Sequence, residues 1–266
     1  MLVYTDQLSR KIILEPSKIQ RIISLVPSQT ELLYDLGLGE RIVGITKFCI
    51  HPKEKVKNVQ KIGGTKNLHL ELIHSLKPDL IIANKEENER MHIESLSESF
   101  KVWVSDVNSL TDALQMIRSV GELSNTENQA NKIEVAISEN FRQLREQHPF
   151  LLKKKKVAYF IWREPWMLAA NNTFINAMLE EIGFENVFAD MSRYPEISLT
   201  TLHQLDVDYI FLSSEPYPFT EKHITEIKKV IPQAKSVLVD GEMFSWYGSR
   251  LLYAATYFRN LLSSLS

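Results

Sequence analysis

The stretch TENQANKIEVAISENFRQLREQH, residues 126–148, reads as one long helix, and the rest of the chain is organised around it. Ala130, Ile133, Ile137, Phe141 and Leu144 recur at steps of three or four, which places them on a single face. Glu127, Asn131, Lys132, Glu134, Glu139, Arg142, Arg145 and Glu146 between them make a solvated side. Thr126 can cap the start, and Pro149 ends the run. At about 1.5 Å per residue the helix spans roughly 30 Å, the width of a small domain. A coiled-coil segment is the plainer alternative, but one short stripe rarely makes one alone.

Upstream, short apolar strands alternate with helices. Arg21–Val26 reads as a strand, and Thr30–Leu36 as a helix with Ser28 as N-cap, Glu31 at N3 and Gly37 closing it. Strand Ile42–Ile45, helix Leu70–Leu76, strand Leu80–Ala83, a helix within Lys85–Phe100, strand Val102–Val104 and helix Leu110–Leu123 follow. Downstream the same grammar returns: strand Val157–Ile161, helix Thr173–Ile182 closed by Gly183, strand Val237–Val239 and a final helix Ser249–Leu262. Ile73, Leu76, Asp79 and Leu80 are echoed at the same spacing by Leu202, Leu205, Asp208 and Tyr209. The expected fold is α/β: two Rossmann-like lobes with parallel sheets joined by one long backbone helix. The expected lobes are 1–124 and 150–266, with the connecting helix at 125–149.

A length of 266 residues with 44% hydrophobic content suits such a pair of cores. A net charge of −2 argues against nucleic acid as a partner, and the one dense basic block, Lys153–Lys156, reads as solvated surface. The single cysteine, Cys49, excludes an internal disulfide. No run is long and apolar enough to span a membrane, and Met1–Gln20 has no signal-peptide core. The chain is therefore expected to work in the cytoplasm if Met1 is the native start, or in the periplasm if an export segment was removed.

Two lobes imply a cleft, and ligands of open α/β sheets settle beyond the carboxyl ends of the strands. Residues expected there include Ser28, Phe48, Cys49, His51, Trp162, Arg163, Trp166, Glu215, Tyr217, Phe244, Trp246 and Tyr247, with Tyr194 and Phe219 nearby. So many rings in loops suit a flat, partly apolar ligand; packing against the lobe is the plainer reading. Arg163 and Arg250 could meet ligand carboxylates or amides, or be ordinary surface arginines. Cys49 and His51 are the candidate metal contacts, although two ligands do not close a metal site and a buried neutral cysteine is the plainer reading. On a strand, residues two apart face the same way, which disfavours a catalytic Cys–His pair. With nine glycines, no Gly-x-Gly-x-x-Gly and no phosphate loop, nucleotide binding has little support.

The run Arg21-Ile22-Ile23-Ser24-Leu25-Val26-Pro27-Ser28-Gln29-Thr30-Glu31, preceded by Asp6-Gln7, resembles the opening of the helical-backbone metal receptors. Gly37, Val43-Gly44, Gly63-Gly64, Leu76-Lys77-Pro78-Asp79-Leu80-Ile81 and Asn171-Thr173-Phe174 fit the same pattern over nearly the whole chain. These are the class III substrate-binding components of ABC importers for vitamin B12, haem and ferric siderophores, and the nearest resemblance is to the vitamin B12-binding branch. The resemblance implies a non-enzymatic receptor with no cofactor of its own, gripping cobalamin or another metal chelate between its lobes. Haem or a ferric siderophore is the alternative ligand. A cytoplasmic tetrapyrrole- or metal-handling enzyme or sensor using Cys49 and His51 is the rival from another class. By position, the family's cleft aromatics fall near Thr65 and Tyr194, so one ring of that clamp is replaced here by threonine. The family's permease-docking glutamates fall at Glu71 and at Thr200, so only the first is acidic.

Overall fold

The computed structural model describes residues 1–147 and 155–265. His148, Pro149, Lys153 and Lys154, which figure in the expected helix end and basic block, lie outside the described residues. The chain divides into two compact units. Unit 1 comprises Met1–Val107, Thr111–Ala136 and Tyr247–Arg250; unit 2 comprises Asn108–Leu110, Ile137–Trp246 and Leu251–Ser266.

Unit 1 opens with an antiparallel hairpin, β1 (Leu2–Thr5) and β2 (Lys11–Leu14). The sequence reading left this segment without structure. The buried Asp6 carboxylate organises it, accepting from the backbone N–H of Leu8 at 3.0 Å and of Arg10 at 2.8 Å, and from Arg10 Nε at 2.7 Å. Then come β3 (Ile22–Ser24), α1 (Pro27–Asp35), β4 (Ile42–Ile45), α2 (Leu70–Leu76), β5 (Leu80–Asn84), α3 (Arg90–Ser99) and β6 (Val102–Ser105). All four strands from β3 to β6 are parallel, in the order β4-β3-β5-β6. Ser28 is not the N-cap of α1: Val26 holds that place and Pro27 occupies the first turn, where its fixed φ and missing N–H fit. α4 (Leu110–Ser124) lies against the start of α5 (Glu127–Gln147). A Cβ on Gly121 would stand 2.4 Å from Ala130 Cβ, so this close approach requires glycine. The stripe expected on α5 is buried at each of its five positions.

Unit 2 holds β7 (Lys155–Trp162), β8 (Met167–Leu168), α6 (Phe174–Glu181), β9 (Phe184–Asn186), α7 (Leu199–His203), β10 (Tyr209–Ser213), α8 (Glu221–Val230), β11 (Lys235–Val239), α9 (Gly241–Ser245) and α10 (Leu251–Leu265). β11, β10, β7 and β9 run parallel in that order, and the short β8 pairs antiparallel with β7. With β8 set aside, β9-β7-β10-β11 repeats the strand order of unit 1. Lys155 and Lys156 belong to β7 rather than to the surface before it, and they pair with Asp208 at 2.8 Å and Asp206 at 3.1 Å.

The repeat extends to single atoms. Asp79 Oδ2 accepts the N–H of Arg21 at 2.8 Å while the Asp79 N–H donates to Arg21 O at 2.8 Å. Asp208 Oδ2 accepts the N–H of Lys156 at 2.8 Å, and its own N–H donates to Lys156 O at 3.0 Å. Asp79 thus pins the start of β5 to that of β3, and Asp208 pins the start of β10 to that of β7. Glu71 and Thr200 are each the second residue of the helix leading into that aspartate.

Candidate functional site

In unit 1 Ser28 lies buried in the first turn of α1, and Phe48, Cys49 and His51 follow β4. Cys49 sits in a turn after β4 rather than on a strand. It is buried, with Sγ 3.1 Å from Thr30 Oγ1 and 3.2 Å from Thr46 Oγ1. Burial pushes its thiol above the ordinary value, against the help of those two hydroxyls, so it is a poor nucleophile. His51 is half-buried and faces the Glu31 carboxylate. Among the described residues no three His, Cys, Asp or Glu side chains are placed to hold a metal.

Arg250 is committed as well, and not to a ligand. Its guanidinium forms a two-pronged pair with Glu31, Nε to Oε2 at 2.9 Å and Nη2 to Oε1 at 2.7 Å, both side chains nearly buried. Tyr247, also buried, donates its hydroxyl to Glu87 Oε1 at 3.1 Å. Burial, Glu87 and Glu86 push its phenol far above the usual range. Phe48 differs. It is 50% exposed, lies 3.2 Å from where a Gly64 Cβ would stand, and carries Lys47 Nζ over its ring at 5.1 Å. Ile50 beside it is also exposed, Thr65 is partly exposed, and Glu71 is exposed on α2.

In unit 2 the expected aromatics separate into two groups. Phe244 is fully buried, its ring packed on Phe258 at 4.8 Å and Tyr159 at 5.0 Å, so it offers no face to a ligand. Trp246 is buried and donates Nε1–H to Glu215 Oε1 at 2.9 Å, and Ser245 donates to the same oxygen at 2.7 Å. Burial raises the Glu215 carboxyl above its ordinary value, Glu242 and Asp240 add to this, and those two donors oppose it. The reason is α9, a short helix that carries this segment inward: a Cβ on Gly241 would meet Ser213 Oγ at 2.4 Å.

The second group forms a shelf at the carboxyl end of β7. Trp162 is 40% exposed and meets Tyr217 edge-on, centroids 5.7 Å apart. Tyr217 leans on Phe219 at 4.8 Å, and Trp166 stacks parallel to Phe219 at 6.0 Å. The Arg163 guanidinium lies 5.6 Å from the Trp166 ring, but its charge is taken by Glu226 at 3.1 and 3.0 Å and by Glu164. Tyr194 stands apart, half-buried with the Arg193 guanidinium 6.0 Å from its ring. It lies on a segment hydrogen-bonded alongside Trp166–Asn171. His223 completes the shelf from beneath. It is buried, accepts the Thr220 N–H on Nδ1 at 2.9 Å, and has Nε2 3.1 Å from Tyr217 Oη. The candidates read from sequence did not include this histidine. The signal for it was Thr220-x-x-His223 at a helix start, a capping-box spacing.

A family model described as periplasmic binding protein matches residues 22–242. The chain belongs to that family. It is therefore a substrate-binding protein of the kind that serves ABC importers, a group of carriers rather than enzymes. An ABC transporter substrate-binding lipoprotein of Bacillus subtilis, YvrC, is 29% identical over 78% of this chain and 68% of its own length. A vitamin B12-binding protein of Vibrio vulnificus is 30% identical over 70% of this chain and 68% of its own. Among solved structures, a possible iron-binding, periplasmic solute-binding protein of Staphylococcus epidermidis superposes with a TM-score of 0.78 at 27% identity, covering 92% of this chain and 99% of that one. No helix among the described residues is long and apolar enough to cross a membrane.

Proposed function

We propose that this periplasmic binding protein captures a corrinoid or a closely related metal chelate, with the unit 2 shelf as a principal contact. The observation that carries the reading is Trp162, a large indole left 40% exposed at the carboxyl end of β7 with Tyr217 set against its edge. Exposed apolar residues are common singly. One set edge-on against Tyr217 and backed by Phe219 and Trp166 leaves a single braced indole open to a ligand, which suits a macrocycle better than an inorganic ion. Similarity to vitamin B12-binding proteins favours cobalamin over haem.

The test is titration of the purified chain with cyanocobalamin, haemin and a ferric siderophore, followed by tryptophan quenching. Cyanocobalamin is expected to bind at micromolar concentration or better. Trp162→Ala is expected to weaken it about 10-fold or more, the order of 1.5–3 kcal/mol for one buried large side chain. Saturation by haemin or the siderophore alone would reassign the ligand. Quenching by none of the three would end the proposal. Glu71, exposed on α2, is the proposed permease contact, and Glu71→Arg is expected to lower importer-coupled uptake while leaving ligand affinity unchanged.

A further inference from the structure

His223 occupies the third position of α8, where a capping box ordinarily carries glutamate or glutamine. Its Nδ1 faces two donors, the Thr220 N–H at 2.9 Å and the Thr220 hydroxyl at 3.2 Å. A ring nitrogen that accepts a backbone N–H holds a lone pair, so in the neutral imidazole the proton lies on Nε2. Nε2 points at Tyr217 Oη, 3.1 Å away. The imidazole is therefore the donor of that bond and the phenol oxygen its acceptor. Tyr217 keeps its own O–H proton uncommitted, on a half-buried ring that forms part of the exposed shelf with Trp162.

We propose that His223, held in one tautomer by the cap of α8, makes Tyr217 a dedicated hydrogen-bond donor to an oxygen acceptor on the bound ligand, such as the carbonyl of a peripheral amide. The proposal rests on the shelf being the ligand contact. It accounts for a histidine where glutamine would cap equally well, because glutamine with its oxygen on the Thr220 N–H cannot also reproduce the rigid Nε2–H. Burial holds the imidazole below its ordinary pKa, and Lys222 and Arg163 act in the same direction while the Thr220 backbone and Glu226 oppose them. The neutral form is thus the one present at neutral pH. Phe219 and Tyr217 close the remaining sides of the ring with edge contacts at 5.3 and 5.4 Å.

The experiment has two arms. In the first, long-range ¹H–¹⁵N correlation on ligand-free, histidine-labelled protein at about pH 8 reads which nitrogen of His223 is protonated, with His223→Gln supplying the assignment. The Nε2–H tautomer is expected, and an Nδ1–H tautomer would overturn the proposal whatever the chain binds. In the second, cyanocobalamin affinity is compared for wild type, Tyr217→Phe, His223→Gln and the double variant, with thermal melts to show that each folds. Each single change is expected to weaken binding about 3- to 10-fold, the span of one hydrogen bond, and the double variant no further than Tyr217→Phe alone. Unchanged affinity in Tyr217→Phe would overturn the donor role and leave the corrinoid reading intact. Failure of wild type to bind cyanocobalamin would overturn the corrinoid reading and the donor role together. The first arm would still decide the position of the proton.

Discussion

The Glu31–Arg250 pair allows a prediction with a sign, a size and a pH window. Arg250 belongs to Tyr247–Arg250, a segment that packs into unit 1 although the residues on either side of it belong to unit 2. Its two bonds to Glu31, at 2.9 and 2.7 Å, are made between side chains only 12% and 10% exposed. Burial already lifts the Glu31 carboxyl above its ordinary 4.5, Arg250 and His51 oppose the lift, and Asp35 adds to it. Arg250→Met removes the largest opposing charge and leaves a buried carboxylate, a change of about 3–5 kcal/mol at neutral pH. A carboxyl whose folded pKa is raised loses stability as pH rises through that value, and the variant raises it further. Near pH 3, well below the ordinary 4.5, Glu31 is neutral in both folded and unfolded chains, so the loss should shrink to about 1 kcal/mol for the missing hydrogen bonds. Urea unfolding followed by far-ultraviolet circular dichroism at both pH values measures this, and Glu31→Gln with Arg250→Met should recover most of the neutral-pH loss. A deficit equal at the two pH values, or under about 1 kcal/mol at neutral pH, would refute the reasoning.

Three further outcomes follow from single sites. Gly63 has φ of +103° and a Cβ there would stand 2.3 Å from Asn67 O, so Gly63→Ala should destabilise by about 1–3 kcal/mol; a thermal midpoint matching wild type would contradict this. Cys49, buried with its thiol shifted upward, should resist iodoacetamide at about pH 8 in the folded chain and react once urea unfolds it, as mass spectrometry would report. Glu215 is raised above 4.5 by burial, so its contribution is full below that value and falls as pH rises through its folded pKa. Glu215→Gln, which keeps an acceptor for Trp246, should therefore gain thermal midpoint relative to wild type between about pH 4 and pH 7, and a difference flat with pH would count against it.

The elements that sequence made legible are those whose pattern is local. The α5 stripe, the exact span of α2 and the helix-closing Gly37 and Gly183, with φ of +80° and +82°, all follow from spacing and backbone rules. The echo of Asp79 by Asp208 was visible as an interval, and the structure supplies its cause: an aspartate in register with a residue at the start of a neighbouring strand, Arg21 just before β3 or Lys156 in β7, can satisfy that residue's N–H and carbonyl together. The β1–β2 hairpin was not legible. It depends on Asp6, whose carboxylate also accepts from the distant Val104 N–H at 3.3 Å, and nothing in eight short-strand residues advertises a partner that far along the chain.

The candidate site divides by the same rule, and the division bears on how its residues should be tested. Type and strand-end position selected Trp162 and Phe244 alike, yet one is an exposed indole and the other a fully buried ring, because α9 turns its segment inward only by virtue of the space left at Gly241. Charge selected Arg163 and Arg250 as ligand partners, yet each faces a glutamate that no nearby sequence position announces, Glu226 for the first and Glu31 for the second. An arginine already satisfied by a carboxylate presents little net charge, so neutral oxygen acceptors suit this surface better than multiply anionic ones. Under the proposed function, a neutralised Arg163 and a Tyr217 that donates its hydroxyl would both suit a ligand bearing amides. Replacing Glu226 with glutamine would leave Arg163 paired with the exposed Glu164 alone and so unmask part of its charge beside the shelf. Haemin, with its two carboxylates, should then gain affinity relative to cyanocobalamin, and titration of both against Glu226→Gln and wild type reads the ratio. A ratio that stays fixed would mean that Arg163 lies outside the field of the ligand.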